Sequence, residues 1–301
     1  MLLRQEWAED AYCTNEIIRH RVKEVIVQEQ TPFQKIEIYD LFDYGLCLFI
    51  DGIPQSAVKD EWIYHECLVH PAMVCSQRTD HFRILVLGAG EGASLRELLK
   101  YEFIKNIDAI DVDRQAVQLF QNHLKEMHHN SYNHPKVHLQ FKNAGDFLKG
   151  TDNQYDVIIS DITDVNFFNL GAVEAHKQAD FYELIKRRLK SNGILAMHSS
   201  ELTEIHYHKH LAMSKLMQNI FTKVFSYRAY IPFFECSWGF LLATNNQHLN
   251  PVDMTEGQFK KLMNSKMDLK FITPRNLRSI FTVPNFQNKS LESASYVRDL
   301  F

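Results

Sequence analysis

The sequence predicts an α/β protein in which a Rossmann-like, doubly wound and mostly parallel sheet follows a small N-terminal antiparallel β domain. Apolar strand patterns alternate with helical patterns from Phe82 onward, as in βαβ units. The first of these strands runs into glycines spaced G-x-G-x-G and then into a helical pattern. Earlier, between about residues 21 and 50, β-branched segments alternate with turn residues, which is typical of an antiparallel sheet. We therefore expect a β-rich domain with a linking helix at 1–78 and the Rossmann-like domain at 79–301.

The linking helix is predicted from Lys59 to Cys75, and Pro71 is expected to kink or end it. Beyond it, strand patterns alternate with helices in the order required for a largely parallel sheet. The predicted strands lie at 83–87, 107–111, 137–142, 156–161, 193–198, 224–231 and 238–244.

Composition excludes several classes of protein. The chain has 301 residues, 45% of them hydrophobic and 23% charged, which is enough for a full α/β core. It has no apolar stretch of the roughly twenty residues that cross a bilayer, and its N-terminus lacks a signal-peptide pattern, so we expect a cytoplasmic protein without membrane contact. Five cysteines without a C-x-x-C pair favour reduced thiols over disulfides or zinc. The net charge of -4 argues against a nucleic-acid partner.

The glycine turn at 88–92 contains an acid, Glu91. Glycine permits positive φ and close approach of the backbone to a ligand, and the following helix points its N-terminus at the same place. In a dinucleotide site that end receives a pyrophosphate, but the spacing here is not G-x-G-x-x-G, and Glu91 would repel phosphates. A nicotinamide dehydrogenase is therefore disfavoured. The glycines alone are also compatible with an ordinary strand-to-helix turn.

A second acidic feature ends the next strand pattern. Asp111 and Asp113 lie about twenty residues past the glycines, where parallel sheets place a carboxylate that binds a ribose diol. We favour Asp111 for the ribose because it lies nearer the strand end, and Asp113 for capping the helix that begins around Arg114. Together these features predict a nucleoside site without a phosphate, for which an S-adenosyl compound is the commonest ligand.

Two more acids, Asp161 and Asp164, follow the strand pattern at 156–161, at the edge where open α/β sheets bind ligands. One explanation is a strand-end turn in which an aspartate caps a loop. The other is a site for a polycation or a general base. With Glu91 and Asp111, these residues would place four carboxylates around one crevice, which implies a positively charged ligand.

Four stretches of this sequence resemble the polyamine aminopropyltransferases, the family that includes spermidine synthase. They are LFIDGIPQSAVKDEWIYHECLVHPAM, ILVLGAGEGASLREL, IDVD and SDITD, in the family's order and at its intervals. A methyltransferase would share only the glycine turn and Asp111. The resemblance implies transfer of an aminopropyl group from decarboxylated S-adenosylmethionine to an amine, with release of methylthioadenosine. The donor is then a co-substrate, and no cofactor or metal is expected.

The resemblance also implies roles for individual residues. Gln34, Gly88, Gly90, Glu91, Asp111, Asn143 and Ala144 would bind the donor, and His65, Glu91, Asp161, Asp164 and Phe234 would bind the polyamine. Asp161 resembles the family's proton acceptor, and Tyr64 would position the attacking nitrogen. Charge suggests a further role for Glu91, since it should repel the carboxylate of intact S-adenosylmethionine and tolerate the decarboxylated form.

Departures from the family pattern leave the acceptor open. Residues 165–168 follow Asp164 where spermidine synthases usually have a proline and a Gly-Pro pair, and Asn143 replaces an aspartate. Phe234 stands where many putrescine-using members have tyrosine. The segment at 231–238 resembles more closely that of thermospermine synthases and agmatine-using members. We expect putrescine as the acceptor on frequency alone, with agmatine or a longer polyamine as alternatives.

Two other classes of function stay open: an S-adenosylmethionine-dependent methyltransferase, and a catalytically silent polyamine-binding member of the family. The family usually forms dimers or tetramers, so we expect a homodimer or a homotetramer. The H-x-H-x-H run at 206–210 is expected on a solvated face rather than at a metal, because no third ligand can be placed.

Overall fold

The computed structural model describes residues 6–10, 16–76, 80–162, 172–262 and 267–284, and the strands in these ranges form two sheets. The strands are β1 (Trp7–Asp10), β2 (Ile18–Gln30), β3 (Lys35–Leu41), β4 (Gly45–Ile50), β5 (Ile53–Ala57), β6 (Phe82–Leu87), β7 (Ile104–Asp111), β8 (Val137–Phe141), β9 (Tyr155–Ser160), β10 (Leu189–Glu201), β11 (Lys223–Ile231) and β12 (Cys236–Thr244). The helices are α1 (Glu61–Cys75), α2 (Ala93–Leu99), α3 (Arg114–His123), α4 (Lys125–His128), α5 (Ala144–Gly150), α6 (Ala172–Arg188), α7 (His208–Ile220), α8 (Glu256–Leu262) and α9 (Asn276–Ile280).

The N-terminal sheet is antiparallel throughout, in the order β1-β2-β3-β4-β5. Successive side chains of a strand point to opposite faces, so each face of this sheet has its own apolar cluster. Ile36 and Ile38 belong to the cluster that includes Phe120 of α3. Tyr39 belongs to the cluster that includes Phe233, which precedes β12. The small sheet therefore packs directly against the part of the chain that forms the larger one.

The larger sheet has the order β11-β12-β10-β9-β6-β7-β8. The five neighbouring strands β10, β9, β6, β7 and β8 are parallel to one another. Strand β12 pairs antiparallel with both β10 and β11. Every residue of β9 is buried, as expected for a strand with helices on both faces. The predicted fold class is confirmed. Because the carboxyl ends of parallel strands meet at one edge, the glycine turn, Asp111, Asn143 and Asp161 come to the same side of the sheet.

Helix α1 is buried on almost all sides and packs against α2, β10, β11 and β12. It runs through Pro71 to Cys75, so Pro71 does not end the helix. A proline at this position cannot donate to the carbonyl of Cys67, four residues earlier. That carbonyl instead accepts a hydrogen bond from the hydroxyl of Tyr227, at 3.0 Å, which removes part of the cost of the proline. The predicted domain boundary at residue 78 stays a prediction.

The histidine run is not a solvated face, because His210 is buried in α7. Its Nδ1 lies 3.2 Å from the carbonyl oxygen of Ser199, and its Nε2 lies 3.0 Å from the hydroxyl of Ser226. Burial lowers the pKa of His210 to about 4, so the ring is neutral at physiological pH. His206 and His208 are exposed, as predicted, and no group of metal-binding side chains is found in the described ranges. None of the described helices combines the length and apolar composition that crossing a membrane requires.

Candidate active site at the carboxyl edge of the parallel sheet

The glycine turn lies where the sheet order reverses, between β6 and β9, the position at which open α/β sheets bind ligands. Gly88, Gly90 and Gly92 all have positive φ, of 84°, 49° and 81°. A Cβ on Gly88 would lie 2.3 Å from the carbonyl oxygen of Asp161, so this glycine lets the chain after β9 pass directly against the turn. A Cβ on Gly90 would meet no described heavy atom within 4 Å. Gly90 therefore faces open space and leaves room for a ligand.

The Asp111 carboxylate occupies turn amides that could otherwise bind a phosphate. Its Oδ2 accepts hydrogen bonds from the amides of Ala89 and Gly90, at 2.9 and 3.2 Å, and its Oδ1 accepts one from the amide of Asp113, at 2.9 Å. Burial raises the pKa of Asp111, although these three hydrogen bonds act in the opposite direction. The turn amides that would bind a pyrophosphate are thus already bound to a carboxylate. Oδ1 of Asp111 accepts only one of these hydrogen bonds, so it retains a lone pair for a hydroxyl group of a ligand.

Asp113 caps α3, as predicted, and also contacts the turn between β2 and β3 of the N-terminal sheet. Its Oδ1 accepts from the amides of residues 115 and 116, at 3.1 and 3.0 Å. Its Oδ2 lies 2.5 Å from the hydroxyl of Thr31 and 3.4 Å from the side-chain nitrogen of Gln34. These contacts bring Gln34, a predicted donor-binding residue, beside the strand end that carries Asp111.

Asn143 caps the N-terminus of α5, and its Oδ1 accepts a hydrogen bond from the amide of Asp146 at 3.2 Å. The amide of the preceding Lys142 donates to the backbone oxygen of Asp111 at 2.8 Å, so Asn143 and Ala144 sit close to the predicted ribose acid. A cavity of about 480 Å³ lies beside Asn143, but it extends along α5 to Thr151 and its lining includes no other predicted site residue, so it is not the crevice at the glycine turn. An amide oxygen has two lone pairs, so the capping bond leaves Asn143 able to accept another hydrogen bond, as from an adenine amine.

Glu91 belongs to a buried row of alternating charges. His65 Nε2 lies 3.3 Å from Glu91 Oε1, and His65 Nδ1 lies 2.8 Å from Glu61 Oε2. Arg96 then binds both oxygens of Glu61, each at 2.9 Å. Burial lowers the pKa of His65, but its hydrogen bonds to the two glutamates raise that pKa well above the ordinary value. Burial likewise raises the pKa of Glu91, and His65 more than offsets this, so Glu91 is ionised at neutral pH.

Asp161 receives a hydroxyl group on each of its oxygens. Tyr64, from α1, donates to Oδ1 at 2.7 Å, and Ser94, from α2, donates to Oδ2 at 3.0 Å. Burial and the nearby Asp161 charge raise the pKa of Tyr64 well above the ordinary value, so the phenol keeps its proton. Sequence reasoning missed Ser94, because one serine in a helical pattern carries no signal of a partner 67 residues away.

The predicted acceptor side is lined by aromatic rings. Phe234 lies in a short turn before β12, with its ring centre 6.2 Å from that of Tyr64 and 5.0 Å from that of Trp238. His198 stacks on Trp238, and its Nε2 donates to the carbonyl of Ile162 at 2.9 Å. Its Nδ1 is buried without a hydrogen-bond partner among the described residues. Sequence reasoning missed His198 as well.

The described structure therefore brings together eleven of the twelve predicted site residues around one crevice or its wall. The twelfth, Asp164, and the unusual segment at 165–168 lie outside the described residues. The fold and these contacts define the class of protein: an α/β protein with acidic side chains gathered around a crevice at the carboxyl edge of its parallel sheet.

Comparison with known proteins identifies the family. Residues 61–254 match the spermine/spermidine synthase domain, and residues 7–57 match the spermidine synthase tetramerisation domain. The first match alone covers more than half of the chain, so the chain belongs to the spermine/spermidine synthase family. The predicted family and the predicted enzyme class, aminopropyltransferase, are thereby confirmed.

Similar proteins agree with this assignment. Polyamine aminopropyltransferase 2 of Pseudomonas aeruginosa is 35% identical over 226 residues, which are 75% of this chain and 64% of that protein. The polyamine aminopropyltransferase of Sulfurisphaera tokodaii is 30% identical over 280 residues, covering 92% of this chain and 90% of that protein. The spermidine synthase of Thermotoga maritima superposes with a TM-score of 0.81 at 22% identity, over 96% of this chain and 95% of its own. A likeness at this identity supports the fold.

Proposed function

We propose that the protein moves an aminopropyl group from decarboxylated S-adenosylmethionine to putrescine, forming spermidine and methylthioadenosine. The observation that carries this proposal is the hydrogen bond between Tyr64 and Asp161 at the rim of a nucleoside-type crevice. A general base at this place is what amine alkylation requires.

The donor would lie across the open side of Gly90. Asp111 would bind the ribose, Gln34 would contact the nucleoside, and Asn143 with Ala144 would hold the adenine. Glu91 would face the aminopropyl end. Because Glu91 is ionised, it would repel the carboxylate of intact S-adenosylmethionine, whereas the decarboxylated donor brings only positive charge to this place.

The acceptor must lose a proton before it can attack. An alkylammonium with a pKa near 10.4 has no free lone pair at pH 7, and freeing it costs roughly 4 to 5 kcal/mol. Tyr64 donates a hydrogen bond to Asp161, so the phenol oxygen keeps lone pairs that can accept an N–H of the amine. Asp161 is the carboxylate that would take the proton, and it carries spare acceptor sites for it.

Attack then forms a C–N bond at the aminopropyl carbon attached to sulfur. The C–S bond breaks, and its electron pair neutralises the sulfonium to give the thioether of methylthioadenosine. The sulfonium is already an activated leaving group, so proximity and in-line orientation supply much of the remaining acceleration. The rings of Phe234 and Trp238 would cover the methylene chain of the amine.

Putrescine is proposed because it is the most frequent acceptor in the family, and agmatine or a longer polyamine are the alternatives that the Phe234 wall leaves open. The match of residues 7–57 to a tetramerisation domain supports a homo-oligomer, a tetramer or a dimer. A cytoplasmic location, and a reaction that uses the donor as a co-substrate without a further cofactor, also belong to this proposal.

The test is incubation with decarboxylated S-adenosylmethionine and a panel of amines, followed by mass measurement of the products. We expect the mass of one aminopropyl group to be added to putrescine. Asp161→Asn should still bind the donor but lose at least about 100-fold in turnover, the usual contribution of a general base. Methyl transfer from intact S-adenosylmethionine would establish a methyltransferase instead, and binding without any product would establish a silent polyamine-binding protein.

A further inference from the structure

We propose that Ser94 is a positioning residue for the reaction: its hydroxyl fixes the Asp161 carboxylate in the orientation that proton transfer from the amine requires. This inference rests on the proposed role of Asp161 as proton acceptor. Ser94 would act through Asp161.

Both oxygens of the Asp161 carboxylate accept a hydrogen bond from a hydroxyl group. Ser94 is 2% exposed and lies in the first turn of α2, directly after the glycine turn. Its Oγ is 3.0 Å from Oδ2 of Asp161, while the Tyr64 hydroxyl is 2.7 Å from Oδ1. Each oxygen therefore has one hydroxyl donor, and the donors come from different helices. Rotation of the carboxylate would break both hydrogen bonds.

The backbone of Asp161 is held as well. Its amide donates to the carbonyl of Leu87 at 2.8 Å, and its own carbonyl lies against Gly88. With the main chain in place, the remaining freedom of Asp161 is the rotation of its side chain. Ser94 and Tyr64 restrict that rotation.

Competition between hydrogen-bond acceptors explains why the Ser94 hydroxyl contacts Asp161. A serine inside a helix commonly bonds back to the carbonyl four residues earlier, which here is that of Gly90. The hydroxyl of Tyr132 already donates to the Gly90 carbonyl. A buried hydroxyl needs a partner, and a carboxylate makes the stronger, charge-assisted hydrogen bond.

A functional consequence follows from this positioning. Loss of the Ser94 hydroxyl removes one of the two hydrogen bonds that restrict the carboxylate, so fewer bound complexes have Asp161 aligned with the amine. The turnover number kcat should therefore fall by about tenfold, while the KM values for donor and amine change little, because Ser94 acts through Asp161. A serine that only filled space would leave kcat unchanged when replaced by alanine.

The test measures kcat and the KM values for donor and amine for Ser94→Ala, Ser94→Thr and the wild type. We expect kcat of Ser94→Ala to fall roughly tenfold, with both KM values within about twofold of the wild type. Ser94→Thr keeps the hydroxyl and should restore the wild-type kcat. Ser214→Ala removes another buried helical serine, in α7, and should leave kcat unchanged.

A kcat of Ser94→Ala equal to that of the wild type would overturn the proposal, and so would an equal fall in Ser94→Thr or Ser214→Ala. If Ser94→Ala does not fold, Ser94→Cys replaces it, since its weaker donor should lower kcat in the same direction, and an unchanged kcat again overturns the proposal. Asp161→Asn is measured in parallel. Full turnover in Asp161→Asn would reject the base assignment itself, whereas its inactivity beside an unchanged kcat of Ser94→Ala rejects only the role of Ser94.

Discussion

Asp60 should make the folding stability of this protein depend on pH, and Asp60→Asn should remove that dependence. Asp60 directly precedes α1 and is 5% exposed. Its Oδ2 accepts the amide of Phe233 at 2.7 Å, and its Oδ1 has no hydrogen-bond partner among the described residues. Burial raises the pKa of Asp60 to about 6, although the Phe233 amide acts in the opposite direction. The same hydrogen bond holds the turn that carries Phe234.

The magnitude follows from the two pKa values. Folding raises the pKa of Asp60 from 3.8 to about 6, so the folded state binds this proton more tightly than the unfolded state. The resulting stabilisation is fully present below pH 3.8 and is lost as the pH rises through about 6. Between about pH 5 and about pH 7.5, the wild type should lose about 1.4 kcal/mol from this group. Asparagine does not titrate and still offers an oxygen to the Phe233 amide.

Urea unfolding of both proteins at about pH 5, 6 and 7.5, at one fixed protein concentration, measures this effect. The free energy of unfolding of Asp60→Asn, minus that of the wild type, should increase by about 1.4 kcal/mol from the lowest to the highest pH. Any cost of burying the amide nitrogen is independent of pH and cancels. Asp152→Asn, at an exposed position, should show a constant difference. A constant difference for Asp60→Asn would refute the reasoning.

Two further variants test the buried row of charges. Glu91→Gln removes the negative charge beside His65, so intact S-adenosylmethionine should no longer be repelled. The preference for the decarboxylated donor over the intact one should fall by about tenfold in a competition assay. An unaltered preference would show that Glu91 does not discriminate between the two donors. Arg96→Ala removes the guanidinium that contacts two buried carboxylates, Glu61 and Glu97. His65 still contacts Glu61 and Lys100 still contacts Glu97, so the free energy of unfolding in urea titrations should fall by about 1.5 to 3 kcal/mol. Lys260→Ala, at an exposed ion pair, should change it by less than about 1 kcal/mol, and equal losses in both would contradict the account.

Much of the fold and part of the site could be predicted because the signals are local. Strand patterns, the glycine turn and the cap at Asp113 depend on spacings of a few residues, and parallel topology then places all strand ends on one edge. Pro71 and His210 show the limit of such reasoning. The hydroxyl of Tyr227 satisfies the carbonyl freed by Pro71, and β10 and β11 bury His210, so both outcomes depend on residues far away in the sequence.

By itself the sequence determined the two β sheets, the phosphate-free turn and the acids at its rim, because periodicity and short motifs decide these features. Only the tertiary structure decided which groups act on those acids. The hydroxyl groups of Tyr64 and Ser94 meet on Asp161 from two different helices, and His65 joins Glu91 to Glu61 within a buried row. Hydrogen bonds and burial set the ionisation of such groups, and both arise only when distant segments pack together.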